Sequence, residues 1–511
     1  MRRGLLWAAL GLACLLAAAS SAAAAPGARR SLAQAAAAPA SQPSAAPAAP
    51  APAAEGGACC EQLAAIGFSS NLPVVVLDTA GQPLDTKGKD VPVRMCTCNS
   101  GQPFKDYEGL ASASVRGTTS ANATKKSFAV TLQQPDNKSK AARDGGSSAA
   151  ANGNSTGKDD GLKSRSFAFL GMPADEDWIL YGGDEVDLTQ GMRNWLTYNL
   201  ARASGRYASR TVWVEVFLVD NGAPLSLDDY HGIYIGLEKL KIAKQRVNVS
   251  KLVAPNLSGG YLLSYENDNI EAGDVTLGPI KGWDHPVLVK DPKKNATVEA
   301  LAWLTQYFQA FQDALEAPDW LRGSVYMHKD RDGPLAAGPA WDYNEAYGLC
   351  CGYPIEGWDK QGVSGPGQAG GSAISPEGWR FLICADQERC QIDPTDGISR
   401  WYRRMWQDPR FSSGAAQRWA ELRAGPWSDA QIDRMFTETT AQIKPAVLRN
   451  FDKYSAVLLK PWYSSAEQEW TSEVANLQSW LSKHLAWLDG EFAKQASSGN
   501  GPASVSPAAG R

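Results

Sequence analysis

The stretch TVWVEVFLVDNGAPLSLDDYHGIYIGLEKL, residues 211–240, contains two apolar runs separated by turn-forming residues. Residues 211–222 alternate in the manner of a β-strand and end in Asn221-Gly222, a dipeptide that favours tight turns. The following run, residues 231–240, can return alongside the first as a second strand. The sequence therefore predicts a β-hairpin near the middle of the chain.

The flanking sequence alternates between strand-like and helix-like segments. Runs rich in β-branched and aromatic residues at 72–81, 127–133 and 259–268 predict further strands. Apolar stripes at helical spacing predict helices over residues 187–202 and 297–315, and helical character fills the C-terminal part. We therefore expect an α+β fold with two lobes, strand-rich in its first half and helix-rich in its C-terminal half, with a ligand bound between the lobes.

The two ends of the chain are predicted to lie outside the folded part. Residues 1–25 combine a basic start, an apolar run and small residues, which is typical of a signal peptide; the run is too short for a membrane span. Residues 26–57 read as an Ala/Pro-rich disordered linker and residues 496–511 as a disordered tail. The expected domain covers residues 58–495, with a disordered insertion at about 136–164. We expect a secreted protein without stable membrane insertion.

Charged residues are dispersed along the whole chain. The sequence has 50 Lys and Arg against 54 Asp and Glu, for a net charge of −4. Nonspecific nucleic-acid binding needs a concentrated positive field. We therefore expect no nucleic-acid partner.

The cysteine content favours disulfide bonds. Of nine cysteines, Cys14 lies in the predicted signal peptide, and the remaining even number suits an exported protein. Structural zinc is the alternative because the cysteines are clustered, although no paired CxxC spacing occurs. We expect Cys384 and Cys390 to close a local loop, with Cys350 or Cys351 pairing nearby. Six glycosylation sequons are also compatible with the secretory route: Asn122, Asn137, Asn154, Asn248, Asn256 and Asn295.

The stretch GPAWDYNEAYG, residues 338–348, places Asp342 and Asn344 two positions apart between aromatic residues. In an extended segment, residues i and i+2 point to the same side, so both oxygen-bearing side chains can converge on one cation. The alternative is a strand end that closes into a turn, where Asn and Asp bind the local backbone.

Six motifs follow one another between residues 116 and 489. They are RGTTS…KKSFAV, DWILYGGDEVDLTQGMRNWLTYNLAR, YHGIYIGLEKLKIAKQRVNV, GGYLLSYEND, SVYMHKDRDGPLAAGPAWDYNEAYG and LQSWLSKHLAWLD. Together they resemble the CotH family, the spore coat protein H-type atypical kinases. The resemblance implies a divergent two-lobed protein-kinase-like fold that transfers the γ-phosphoryl group of ATP to Ser or Thr of exported proteins, with Mg²⁺ or Mn²⁺ as cofactor. The GxxxxGKS/T, HRD and DFG patterns of other phosphoryl-transfer proteins do not occur in the sequence.

The resemblance also implies roles for individual residues. Asp342 matches the metal-holding Asp of the family, and Asn344 stands where relatives carry Asp or Asn. Lys126 lies where a lysine that pairs with phosphate is expected, and Glu238 where its acidic partner would lie. The alternative for Lys126 is a solvated charge beside a strand.

The MRNW motif adds two further candidates. Arg193 and Asn194 match a recurring motif of the family and are predicted to face the nucleotide. For Arg193, an ion pair on the helix surface is an equal alternative.

Asp319 is the candidate catalytic residue. It keeps the family spacing to Arg322, Ser324 and Tyr326, but about thirty residues that would form the preceding helix are missing. The alternative for Asp319 is a helix N-cap. Because a small displacement of a catalytic group is costly, the second functional hypothesis is a catalytically impaired CotH-like protein that binds nucleotide or acts in surface adhesion.

Asp330 and Asp332, in HKDRDG, form another pair of carboxylates. Their Asp-Gly step and the strand-like runs on both sides favour a hairpin turn over a metal site. The four histidines of the chain show no metal-ligand spacing.

Overall fold

A computed structural model describes most of the predicted domain: residues 58–118, 120–136, 162–183, 185, 187–265, 270, 271, 273–281, 283, 286–293, 296–315, 325–349, 376–379, 400–461 and 463–498. The predicted signal peptide, linker, insertion and tail lie outside these residues, apart from the edges of the insertion and tail. Asp319 and the four cysteines from Cys350 to Cys390 also lie outside them.

The first half of the chain folds into a closed sheet. Its strands are β1 (Val74–Asp78), β2 (Val91–Cys98), β3 (Glu108–Arg116), β4 (Ser127–Pro135), β5 (Leu162–Ser164), β6 (Asp177–Tyr181), β7 (Thr211–Val219) and β8 (Tyr230–Glu238). Their order is β3-β2-β1-β7-β8-β6-β4-β5, and an additional pairing of β3 with β4 closes the ring, with β5 attached to β4. The interior is packed with apolar side chains from alternate strand positions, such as Val75, Phe128 and Val214.

The predicted hairpin of residues 211–240 is confirmed as β7 and β8. The two strands pair antiparallel, from Thr211 opposite Leu237 to Phe217 opposite Tyr230. Their connection is longer than the predicted Asn-Gly turn. The side chain of Asn221 donates to Asp229 Oδ1 at 2.9 Å and accepts the N–H of Ala223 at 2.8 Å, and these bonds stabilise a wide loop instead.

A second sheet follows in the sequence. Its strands are β9 (Tyr261–Tyr265), β10 (Val287–Asp291), β11 (Val325–Lys329) and β12 (Leu335–Ala337), in the order β10-β9-β11-β12. Strands β11 and β12 pair antiparallel around Asp330 and Asp332, so the predicted hairpin at these residues is confirmed. Asp330 Oδ1 accepts the backbone N–H of Ser250 at 2.7 Å and is thus used for local structure.

Helices flank both sheets and dominate the C-terminal part. They are α1 (Ala58–Ala65), α2 (Met192–Ala203), α3 (Val298–Leu315), α4 (Arg400–Trp406), α5 (Pro409–Arg423), α6 (Asp429–Lys453), α7 (Ser455–Leu458) and α8 (Ala466–Ser498). The mixed α+β fold, with strands first and helices toward the C-terminus, is thereby confirmed. Among the described residues, no helix combines the length and apolar character that a membrane span needs.

Helix α2 lies at the centre of the main hydrophobic core. Leu196 and Leu200 of this helix are buried in one cluster with Ile235 of the closed sheet and with Phe436 and Leu477 of the C-terminal helices. The helix begins five residues later than the sequence predicts, at Met192, because Gln190 and Gly191 have φ values of +61° and +99°. Any element bonded to α2 is therefore held rigidly between the sheet and the helices.

Two disulfide bonds fasten α1 to β2. Cys59 is bonded to Cys96 and Cys60 to Cys98. The disulfide interpretation is confirmed for these four cysteines, and it remains a prediction for the other four.

Candidate functional site

The loop that follows β12 carries the predicted metal ligands. Strand β12 ends at Ala337, and residues 338–349 continue without strand structure. Asp342 has a φ of +67°, in the left-handed region. The extended geometry predicted for Asp342 and Asn344 is therefore wrong, because residues i and i+2 share a side only along extended backbone. Both side chains are partly exposed, so a cation in solution can approach them.

Helix α2 holds the backbone on both sides of the Asp342 carbonyl. The hydroxyl oxygen of Tyr198 accepts the backbone N–H of Asp342 at 3.1 Å. Asn194 Oδ1 accepts the next backbone N–H, that of Tyr343, at 2.5 Å. Asn194 and Tyr198 are 2% and 1% exposed, so these acceptors are anchored in the core and fix the position of the loop.

Two more side chains of α2 hold the far end of the same loop. Arg193 Nε donates to the carbonyl oxygen of Ala346 at 3.0 Å. The hydroxyl groups of Thr197 and Tyr347 lie 2.7 Å apart and share a hydrogen bond. Positions 193, 194, 197 and 198 lie on one helix face, and this face accounts for the conformation of the loop.

Arg193 also forms a buried ion pair. Its Nη1 lies 2.6 Å from Asp187 Oδ1, and the two side chains are 4% and 0% exposed. The surface ion pair considered for Arg193 is therefore wrong in its location, since the pair is buried. Arg193 and Asn194 both contact the Asp342 loop, and direct contact with a nucleotide stays a prediction for both. The spacing of residues within the helix did not indicate that Arg193 and Asn194 would bind the backbone of a distant loop.

Glu238 is not the partner of Lys126 in this structure. Its carboxylate, which is fully buried, contacts Arg210 Nη1 at 2.6 Å and also Arg246 Nη1. The register of β4, β6 and β8 places the two predicted partners two strands and four residues apart. At about 4.8 Å per strand and about 3.3 Å per residue, this separation is far beyond the length of an ion pair. Lys126 Nζ instead donates to the carbonyl oxygen of Ala121 at 2.8 Å.

The neighbouring Lys125 is a functional candidate that sequence reasoning missed. It is 7% exposed, and its Nζ donates to the carbonyl oxygen of Ile233. The ammonium lies 4.7 Å from the ring centroid of Tyr234 and 5.9 Å from that of Tyr454. Burial lowers the pKa of Lys125 well below its usual value, against the opposing charge of Glu215. Both lysines precede β4, and only the structure shows that Lys125 is the buried one.

The motifs and the elements that carry them match a known family. The model of the CotH kinase protein family matches residues 113–321 and 304–488, which include α2, the closed sheet beyond β3 and the Asp342 loop. The chain belongs to the CotH kinase family. A comparison with curated proteins finds no match.

A CotH kinase is expected to bind a nucleotide through its phosphates, and the cleft beside Lys125 has suitable donors. Its lining residues are Lys125, Gly182, Gly183, Glu185, Gln190, Tyr454, Val457 and Leu458. The Nε2 atom of Gln190 is buried and has no hydrogen-bond partner among the described residues, while its Oε1 accepts from Asn450 at 2.8 Å. A buried donor without an acceptor is costly, and a phosphate oxygen would satisfy it.

The described part of this CotH kinase also contains an acidic triad of the kind that holds metal ions. Carboxylate oxygens of Asp175, Glu176 and Asp177 lie within 4.8 Å of one another. The ammonium of Lys241 lies among them, at 2.7, 2.8 and 3.1 Å. Although burial opposes it, the hydrogen bonds that the Lys241 ammonium donates to Asp175 and Glu176, together with the negative charge of Asp177, raise the pKa of Lys241. The position between the three carboxylates is thus already occupied by a lysine, and Lys239 and Arg246 lie 3.7 Å from Asp177 and 3.8 Å from Asp175.

Proposed function

We propose that this CotH kinase is a secreted, ATP-dependent protein serine/threonine kinase that acts on exported proteins. The hydrogen bonds between α2 and the Asp342 loop are the observation that carries the proposal. Four buried side chains of one helix fix a loop about 150 residues away in sequence. Catalysis of phosphoryl transfer consists mainly of positioning charged groups. The hydrogen bonds from α2 fix the position of the loop that carries Asp342.

The proposal assigns the cation to the Asp342 loop. Asp342 contributes a carboxylate and Asn344 an amide oxygen, the oxygen ligands that Mg²⁺ or Mn²⁺ accepts. When bound, the cation would neutralise charge on the triphosphate. The chain's own contribution is to hold the loop backbone still, through Asn194 and Tyr198, so that the carboxylate of Asp342 meets the cation with little reorganisation.

Lys125 is the lysine that we assign to the phosphates. Its ammonium has no carboxylate within ion-pair distance among the described residues, and it lines the cleft together with Gln190. An anionic phosphate would restore the charged form of a buried lysine, since an opposite charge favours ionisation. Lys126, assigned from the resemblance, remains the alternative at the adjacent position.

In this proposal the nucleotide lies between two lobes. The connection that leads into β4 of the closed sheet supplies Lys125, and the loop that follows the second sheet supplies Asp342. Asp319 would orient the substrate hydroxyl for attack on the γ-phosphorus.

The family match consists of two regions that overlap at residues 304–321, the segment that contains Asp319. The two regions meet where the sequence predicts that the helix before Asp319 is missing. This coincidence favours the second candidate function, a secreted protein that binds nucleotide or a surface without phosphoryl transfer.

Calorimetry and a phosphotransfer assay on the full secreted chain test both functions. We expect Asp342→Ala to weaken MgATP binding at least tenfold, because a hard cation loses a charged ligand. Asp452→Ala, at an exposed position of α6, is the matched control and should bind as the unmodified protein does. Equal binding by the Asp342 variant would remove this residue from the site.

The Asp319→Asn variant separates the two candidate functions. A catalytic Asp319 predicts that phosphorylation of a panel of exported proteins is abolished while MgATP affinity is nearly unchanged. If the unmodified protein binds MgATP but transfers no phosphate, the binding function replaces the kinase function.

A further inference from the structure

Arg116 lies at the junction between the closed sheet and the Asp342 loop. It is the last residue of β3 and pairs in register with Ser127, the first residue of β4. Its guanidinium carbon lies 5.4 Å from the ring centroid of Trp341, the residue that immediately precedes Asp342. The side chain of Arg116 thus connects the first sheet to the predicted metal loop.

Trp341 is a fixed platform for the guanidinium. Its ring stacks on Tyr198 at a centroid distance of 5.9 Å and an interplanar angle of 13°. Tyr326 packs against it at 6.3 Å in an edge arrangement. Because Tyr198 also binds the backbone of Asp342, the platform and the predicted cation ligand are held by the same helix residue.

Arg116 has no anionic partner within the part of the chain that the structure describes. No carboxylate there lies within 4 Å of its guanidinium, and no hydrogen-bond acceptor receives its N–H groups. By contrast, the buried or partly buried arginines Arg193, Arg210, Arg246, Arg423 and Arg449 each contact a carboxylate. Arg116 is only partly exposed, so its charge is presented at the site and left unneutralised.

The hydrogen-bond donors of Arg116 and the charge of Asp342 both lie near Tyr198. The contact with the Trp341 ring uses none of the N–H donors of Arg116 in a hydrogen bond, so these donors remain available to a ligand. The charges of both Asp342 and Arg116 act on the hydroxyl of Tyr198, whose pKa is raised mainly by burial. The free donors and the Asp342 carboxylate therefore flank the same small region, where a ligand that carries both a cation and anionic oxygens would fit.

We propose that Arg116 binds the terminal phosphate of a nucleoside triphosphate whose divalent cation is held by Asp342. This inference rests on the proposed function. A planar guanidinium can bind two phosphate oxygens at once, which an ammonium cannot do. The terminal phosphate is the group that must face the cation loop if transfer is to occur from this site.

Calorimetric titrations of the full chain with MgATP, MgADP and adenosine test the assignment. We expect Arg116→Gln to weaken MgATP binding about 10- to 100-fold, MgADP binding much less and adenosine binding not at all. Arg116→Lys should recover only part of the loss, because it keeps the charge but not the paired donors. Arg94→Gln, at an exposed position of β2, is the matched control and should bind all three as the unmodified protein does.

Each outcome decides the assignment. Unchanged MgATP binding in Arg116→Gln, or an equal loss for MgATP and MgADP, overturns the role of Arg116 and leaves the proposed function standing. Failure of the unmodified protein to bind MgATP overturns both. Thermal unfolding of each variant, which should stay close to that of the control because Arg116 has no buried polar partner, shows that a loss of binding is local.

Discussion

Glu473, on α8, is a buried carboxylate close to the ion pair that supports the loop. Its side chain is 5% exposed, and Tyr463 donates a hydrogen bond to its Oε1 at 3.3 Å. Burial raises the pKa of Glu473 to about 7; Asp187 and Glu469 add to this shift, and Arg193 opposes it. Protonation of Glu473 is thus linked to the charges of Arg193 and Asp187, the ion pair that supports the Asp342 loop.

This linkage predicts how stability depends on pH. The carboxyl of Glu473 binds its proton more tightly in the folded state, so its contribution is fully present below the unfolded pKa of about 4.5 and is lost as the pH rises to about 7. We expect Glu473→Gln to remove on the order of 2–3 kcal/mol of this pH dependence. Urea unfolding at pH 4.5 and pH 8 measures it, with Glu467→Gln, an exposed position of the same helix, as control. An unchanged pH dependence in Glu473→Gln contradicts the assignment.

At the scale of elements, the loop that carries Asp342 lies between α2 and α8. Gly348, near its end, has a φ of +80°, and a Cβ there would lie 2.4 Å from the ring of Trp480 on α8. Tyr347 packs its ring against the same tryptophan at 6.1 Å. Glycine is required at this position by both the backbone conformation and the close approach.

Two alanine substitutions compare a constrained glycine with an unconstrained one. Gly348→Ala should destabilise the protein by roughly 1–3 kcal/mol and weaken MgATP binding, because the loop must shift away from Trp480. Gly490→Ala, inside α8 with no atom within 4 Å of the added Cβ, should stabilise by up to about 1 kcal/mol. Denaturant unfolding and calorimetry measure the two effects. A Gly348→Ala protein with normal stability and binding would show that the loop is not clamped.

At the scale of the whole molecule, the two disulfides tie the start of the described chain to the closed sheet. They join residues 37 and 38 positions apart, so they restrict a substantial loop of the unfolded chain. Cys59 is buried against Val74, Phe217 and Tyr230, which places one bond in the hydrophobic layer outside β1 and β7.

Removing the second disulfide tests its contribution. The double variant Cys60→Ala, Cys98→Ala should lose about 2–4 kcal/mol of unfolding free energy while the Cys59–Cys96 bond remains. Guanidinium unfolding of both proteins without reductant gives the difference. Thiol titration of the denatured, unreduced protein should find almost no free thiol, and several free cysteines would contradict the predicted pairing of all eight.

Much of the fold is predictable from local patterns. The β7–β8 pair, the hairpin at Asp330 and helix α3 lie where periodicity and turn residues indicate them, because these depend on neighbours in sequence. The first turn of α2 is an exception. Gln190 and Gly191 adopt left-handed backbone there, against the helical apolar stripe, and position Gln190 toward Asn450 of α6.

The sequence by itself determined the class of fold, the order of the motifs that indicates a CotH kinase, and Asp342 as the predicted metal ligand. The tertiary structure alone decided that β3 pairs with β4 to close the sheet and that Glu238 is neutralised by Arg210 and Arg246. It also decided that Lys125 is the buried lysine. The physical reason is distance along the chain. Burial and ion pairing depend on which distant segments pack together, and no local pattern of residue types encodes those partners.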